Sequence, residues 1–154
     1  MHQSQVLTSE EIIEKLPYSK PFLFVDAIDE IKDDYIEGHY TFPTDSYFYE
    51  GHFVGNPVTP GVILTECMAQ IGLVCLGINI LAAKDYDLKS NAMVAMCETN
   101  VQFLAPVYPD EKVIVKSELQ YFRMHKLKCT VNLYRANGEK ACKGTLSGML
   151  IPSK

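Results

Sequence analysis

The chain has 154 residues, 47% of them hydrophobic and 21% charged, which excludes a disordered or fibrous polymer and supplies one domain over residues 1–154 with a core of its own. A formal net charge of −5 argues against a generally basic nucleic-acid binder. Cys67, Cys75, Cys97, Cys129 and Cys142 are odd in number and scattered, with no C-x-x-C pair and no secretory signal ahead of them. They read as reduced thiols of a cytoplasmic protein, and their spacing offers no metal site.

Thr8, with Glu11 three positions later, is a capping box ahead of an apolar stripe at Ile12, Ile13 and Leu16. The pattern predicts a short amphipathic helix over residues 8–16, stopped by Pro17. Residues 22–31 (FLFVDAIDEI) and 35–42 (YIEGHYTF) are β-branched and aromatic, and Lys32, Asp33 and Asp34 between them predict a hairpin. His39 falls in the second strand and reads as a strand residue. Tyr47, Phe48 and Tyr49 stand just before Gly51 and His52. They are either core or the lining of an acyl tunnel that also includes Phe53.

Residues 51–70 read GHFVGNPVTPGVILTECMAQ, and the stretch has two unlike halves. Gly, Pro and Asn up to Thr59 exclude regular structure and let a backbone approach a ligand closely. From Pro60 onward the sequence is apolar and helical, with Thr59 as the expected N-cap and Pro60 at the first helical position. Gly61 then leaves the next amides unshielded, and such a helix start suits a carbonyl oxygen that gains negative charge during a reaction. Glu66 is a carboxylate on an otherwise apolar helix, where desolvation raises its affinity for a proton. An imidazole such as that of His52 can accept a proton while such a carboxyl donates one. Taken singly, His52 is also an ordinary turn residue and Glu66 a buried acid satisfied by Gln70 at i+4.

The apolar helix extends to about Ala83, but Thr65, Glu66, Gln70 and Asn79 interrupt it. No run reaches the ~18 consecutive apolar residues of a membrane span, so it reads as a buried central helix. Residues 83–91 are a polar connection. Four strands follow, broken by turn signals at residues 106–110, at 123–126 and at Ala136, Asn137 and Gly138. An antiparallel sheet curled around one buried helix, an α+β fold, satisfies this order. Arg123, His125, Lys126 and Lys128 concentrate positive charge near one turn, as a solvated hairpin tip or as a contact for an acidic partner.

The string H-F-x-G-x-P-x-x-P-G-V-x-x-x-E-x-M-A-Q beginning at His52 resembles the active-site motif of FabZ-type 3-hydroxyacyl-[acyl-carrier-protein] dehydratases, which have the hotdog fold. The upstream LPYSKPFLFVD (residues 16–26) and the downstream FLAPVYPDEKV (residues 103–113) extend the likeness to about residues 16–151. Glu66 favours this branch over the sister FabA type, which carries Asp there. The resemblance implies elimination of water from a 3-hydroxyacyl thioester on the phosphopantetheine arm of an acyl carrier protein. His52 would take the C2 proton, the Gly61 N–H would hold the thioester oxygen, Glu66 would protonate the departing hydroxyl and Gln70 would hold Glu66. It also implies a site shared between subunits, hence a homodimer at least, or a higher oligomer of dimers, with no cofactor. Arg123, Lys126 and Lys128 become candidate carrier contacts. Four departures fall around substrate entry: Val54 for Pro, Tyr18-Ser19 for His-Arg, Leu104-Ala105 for a basic pair, and Asp110 for Gly. They suggest a specialised lipid or polyene pathway. A hotdog acyl thioesterase, or a non-catalytic partner subunit of a dehydratase heteromer, is the alternative.

Overall fold

A computed structural model describes residues 6–84 and 93–151. Its organising element is a helix in which every residue from Cys67 to Ile78 is buried. A helix without a polar face must be enclosed by something concave. Six strands do this: β1 (Ala27–Ile31), β2 (Tyr35–Thr41), β3 (Met93–Phe103), β4 (Lys112–Arg123), β5 (Lys126–Arg135) and β6 (Lys140–Ile151). They form one sheet in the order β1-β2-β4-β5-β6-β3, with every neighbouring pair antiparallel. Leu127, Cys129, Val131 and Leu133 of β5 alternate inward onto the helix, and Lys128, Thr130, Asn132 and Tyr134 point the other way.

The helix runs through α2 (Gly61–Ala69), a π-helical stretch (Gln70–Cys75) and α3 (Leu76–Ala83). Where it crosses the sheet, the Ser117 hydroxyl donates to the Gly72 carbonyl at 2.8 Å. A Cβ on Gly72 would lie 3.0 Å from both Ser117 and Val131, so glycine sets how closely helix and sheet approach. By length and composition the 23-residue helix could cross a membrane, but 72% of its most apolar window is buried inside the fold.

Ahead of the sheet, α1 (Ser9–Glu14) has the expected capping box. The Glu11 N–H donates to Thr8 Oγ1 at 3.1 Å and the Thr8 N–H to Glu11 Oε1 at 3.0 Å. The first strand differs from expectation, because residues 22–26 are not part of it and β1 begins at Ala27. The amide of Gln70 captures their backbone: the Phe24 N–H donates to Gln70 Oε1 at 2.8 Å, and Gln70 Nε2 donates to the Phe22 carbonyl at 2.9 Å. Residues 85–91 of the expected polar connection lie outside the described residues. The Asn137-Gly138 turn forms as its sequence predicts, with Gly138 at φ 91° and its N–H donating to the Arg135 carbonyl.

Gln70→Leu keeps the volume but leaves the buried Phe24 N–H and the part-buried Phe22 carbonyl without their partner. Urea unfolding is expected to show a loss of about 2–4 kcal/mol, and less than 1 kcal/mol would mean that water replaces the amide.

Candidate active site

The loop before the helix is tied by its own backbone. The Val58 N–H donates to the His52 carbonyl at 2.9 Å, and inside that closure Phe53 and Asn56 exchange N–H to carbonyl bonds of 2.9 and 2.8 Å. Gly55 sits at φ 72°, where a side chain is disfavoured, so the tight turn needs glycine. The departure at Val54 falls on the exposed tip of this closed loop. The His52–Phe53 peptide is cis, and the Phe53 ring stacks on the imidazole with centroids 4.0 Å apart.

His52 Nδ1 lies 2.9 Å from the Val58 carbonyl oxygen. A carbonyl only accepts, so Nδ1 carries the proton and Nε2 of the neutral ring keeps its lone pair for chemistry. The Thr59 N–H donates to the Val107 carbonyl at 2.8 Å and joins the loop to the β3–β4 connection.

Thr59 does not cap the helix. Its hydroxyl is taken by Tyr49 Oη at 2.6 Å, and Pro60 stands at the N-cap with no side-chain bond. Ile63 and Leu64 are the first amides to reach a backbone acceptor, both at the Pro60 carbonyl, which leaves the Gly61 and Val62 N–H groups at a bare helix start. The ring of Phe103 packs against Gly61, where a Cβ would lie 3.0 Å from Cε1 and Cζ. Phe103 also borders two open grooves. One runs past Thr59, Gly61, Leu104 and Pro106, and the other past Val62, Thr65, Met96 and Lys128.

Glu66 is half-buried, and desolvation raises its carboxyl above the ordinary 4.5, opposed by the bond from Gln70 Nε2 to Oε2 at 3.0 Å. Gln70 is fully buried and binds Phe22, Phe24 and Glu66 together, as a residue that orients the carboxyl must. Burial, with the Glu66 charge second, pushes the Tyr18 phenol up to about 12, so this half-buried hydroxyl shares the electrostatic surroundings of the carboxylate. Among the described residues no hydrogen bond or ion pair joins His52 to Glu66 within one chain, and no three His, Cys, Asp or Glu side chains cluster as metal ligands.

The aromatic trio divides. Tyr49 is buried and bonded to Thr59, Phe48 makes edge contacts with Tyr49 and Phe42, and Tyr47 is 60% exposed. Arg123 and Lys126 close the β4–β5 turn beside a crevice lined by Gly77, Ile80 and Leu81. That places them near the far end of the helix from Gly61, roughly 30 Å away at ~1.5 Å per residue. Lys128 alone of the three borders a groove that reaches the helix start. Sequence reasoning did not single out Phe103, although it stands in a stretch that carries the resemblance, and it placed Tyr18 only among the departures around substrate entry. Asp110, in place of Gly, keeps the left-handed turn at φ 66°.

The FabA-like domain model matches residues 16–145. A 3-hydroxyacyl-[acyl-carrier-protein] dehydratase FabZ of Nitratidesulfovibrio vulgaris (strain DSM 19637 / Miyazaki F) is 35% identical over 95% of this chain and 88% of its own. The FabZ of Caldicellulosiruptor saccharolyticus is 33% identical over 88% of this chain and 92% of its own. Among solved structures, the dehydratase heterocomplex ApeI:P from Xenorhabdus doucetiae superposes with a TM-score of 0.74 at 15% identity, covering 96% of this chain and 93% of that one. Thioesterase HI1161 from Haemophilus influenzae gives 0.68 at 18% identity, covering 98% and 95%. At these identities the two structures establish the hotdog fold.

A carboxyl with a raised folded-state value binds its proton more tightly folded than unfolded. Its contribution is therefore present below 4.5 and is lost as pH rises through the folded value. Glu66→Gln removes this titration. Its melting temperature relative to the parent is expected to rise as pH increases from 4.5 towards neutrality, and a pH-independent difference would show that Glu66 is not desolvated.

Proposed function

The chain belongs to the FabA-like family, and from the geometry of its site we propose that it eliminates water from a 3-hydroxyacyl thioester on an acyl carrier protein, giving the trans-2-enoyl thioester. The observation that carries this reading is the imidazole whose Nδ1 proton is committed to the Val58 carbonyl, leaving Nε2 as a base. Nε2 of His52 takes a proton from C2. As that C–H bond breaks, charge moves onto the thioester oxygen, which lies at the free Gly61 N–H of the helix start. In its protonated form, which burial favours, Glu66 gives its proton to the C3 hydroxyl as the C–O bond breaks. Water leaves, and the proton on His52 passes back to Glu66 through solvent, which resets the site.

His52 and Glu66 act on one substrate across a homodimer, each subunit supplying one of them to a given site. Two features support this arrangement: the absence of a contact between them within the chain, and the bare outer side of β3. β3 ends the sheet, and Val62, Met96, Phe103 and Leu104 are all exposed near it, a surface that a second copy of the strand would cover.

Incubation with 3-hydroxyacyl carrier proteins of several chain lengths, followed by mass spectrometry of the carrier, is expected to show loss of one water. His52→Ala and Glu66→Gln each slow it roughly 10²- to 10⁴-fold. Mixing and reassociating the two variants restores about one quarter of parental activity, since half the dimers then hold one intact site. Release of free thiol instead of water would make the protein a thioesterase, and no recovery on mixing would place both residues in one subunit.

A further inference from the structure

The start of the central helix is left open by a bond made elsewhere. A threonine directly ahead of Pro-Gly at a helix start is placed to cap it, because its hydroxyl can accept the N–H two residues on, here that of Gly61. Thr59 does not do so, and Pro60 holds the N-cap position with no side-chain bond. Thr59 Oγ1 lies instead 2.6 Å from Tyr49 Oη, in a bond between residues that are 4% and 5% exposed. An uncapped helix start is a loss of stability, so a buried side chain that withholds the cap calls for a reason.

The main chain of Thr59 is fixed on both sides. Its N–H donates to the carbonyl of the buried Val107 at 2.8 Å, and Pro60 after it restricts its backbone to extended conformations. Rotation about χ1 is what remains, and it decides which group Oγ1 meets. Thr59 and Gly61 line the same groove. A hydroxyl released from Tyr49 turns to the local donor that threonine favours, the N–H two residues on.

Tyr49 is placed by the core and not by Thr59. Its N–H donates to the Ser46 carbonyl at 3.2 Å, and the Ser46 N–H donates to the Pro43 carbonyl at 3.1 Å. Its ring meets that of Phe48 with centroids 4.7 Å apart, and Phe48 meets the fully buried Phe42 at 6.2 Å. Burial raises the Tyr49 phenol above its ordinary value, opposed by the bond with Thr59, so the ring keeps its proton and remains a neutral partner for the threonine hydroxyl.

We propose that Tyr49 is a positioning residue for the thioester oxygen: by holding the Thr59 hydroxyl it keeps the Gly61 N–H open to the substrate. This rests on the dehydratase reading. Loss of the phenol hydroxyl does not merely loosen the loop. It frees Thr59 to cap the helix, and the thioester oxygen then competes for Gly61 N–H with an acceptor that is always present. Removal of the threonine hydroxyl as well takes that competitor away, so the second change relieves the first.

Tyr49→Phe removes one hydroxyl and no ring, and Thr59→Val keeps the shape of threonine. Pro60-Gly61 is the only Pro-Gly step in the sequence, so isotope labels at proline carbonyl carbon and glycine nitrogen report the Gly61 amide alone by NMR. Hydrogen exchange of that amide is expected to slow about tenfold or more in Y49F and to return to the parental rate in Y49F/T59V. With a 3-hydroxyacyl carrier protein, kcat is expected to fall roughly 10- to 100-fold in Y49F, with KM within about twofold, and to recover to within about threefold of the parent in Y49F/T59V. A role confined to packing predicts the reverse, since the double variant restores no bond and would be as slow as Y49F. Unslowed exchange in Y49F, slowed exchange with unchanged kcat, or a loss that T59V does not relieve would each overturn the proposal. Exchange slowed in Y49F and restored in Y49F/T59V, with a parent that dehydrates no 3-hydroxyacyl carrier, would leave Tyr49 in control of the helix start and refute the dehydratase reading instead.

Discussion

One buried amide holds the two halves of the site's architecture together. Gln70 sits on the helix with no exposed surface and spends both ends of its side chain, accepting from Phe24 and donating to Phe22 and Glu66. A neutral amide can do this because its oxygen and nitrogen bind an N–H, a carbonyl and a carboxylate without burying a charge. The segment before β1 is thereby attached to the helix, and the carboxyl that would do acid chemistry is aimed by the same group that closes the core. Stability and positioning are one interaction here.

The two proposed reacting groups are fixed by different means. His52 is held by main chain, through a loop closed on itself and a carbonyl that dictates its tautomer. Glu66 is held by a side chain on a rigid helix, in surroundings that favour its neutral form. Base and acid thus come from separate elements with separate tuning, and this suits a site completed by bringing two such elements face to face.

Much of this was legible in the sequence because the signals were local. The Thr8–Glu11 box, the Asn137-Gly138 turn and the alternation along β5 each act within a few residues. What was not legible depends on distant partners. The apolar residues 22–25 look like strand until a side chain 46 positions away takes the Phe24 N–H. Thr59 looks like a cap until Tyr49 takes its hydroxyl. Arg123, Lys126 and Lys128 form a charge cluster in sequence, yet the fold divides them between the far turn and a groove at the helix start. Conversely, the meeting of Lys116 and Lys140 over Tyr134 is invisible in sequence, since only strand register unites them.

The bulge in β3 has its own consequence. Pairing with β6 slips between Met96 and Glu98, so the outer strand does not offer one continuous ladder of N–H and carbonyl groups. A straight, unbroken edge of eleven residues would template any exposed strand it met, as fibrils do. The break, with the charge of Glu98 beside it, makes promiscuous addition of foreign strands unfavourable. An edge interrupted in this way fits a partner strand of matching shape better than a straight one.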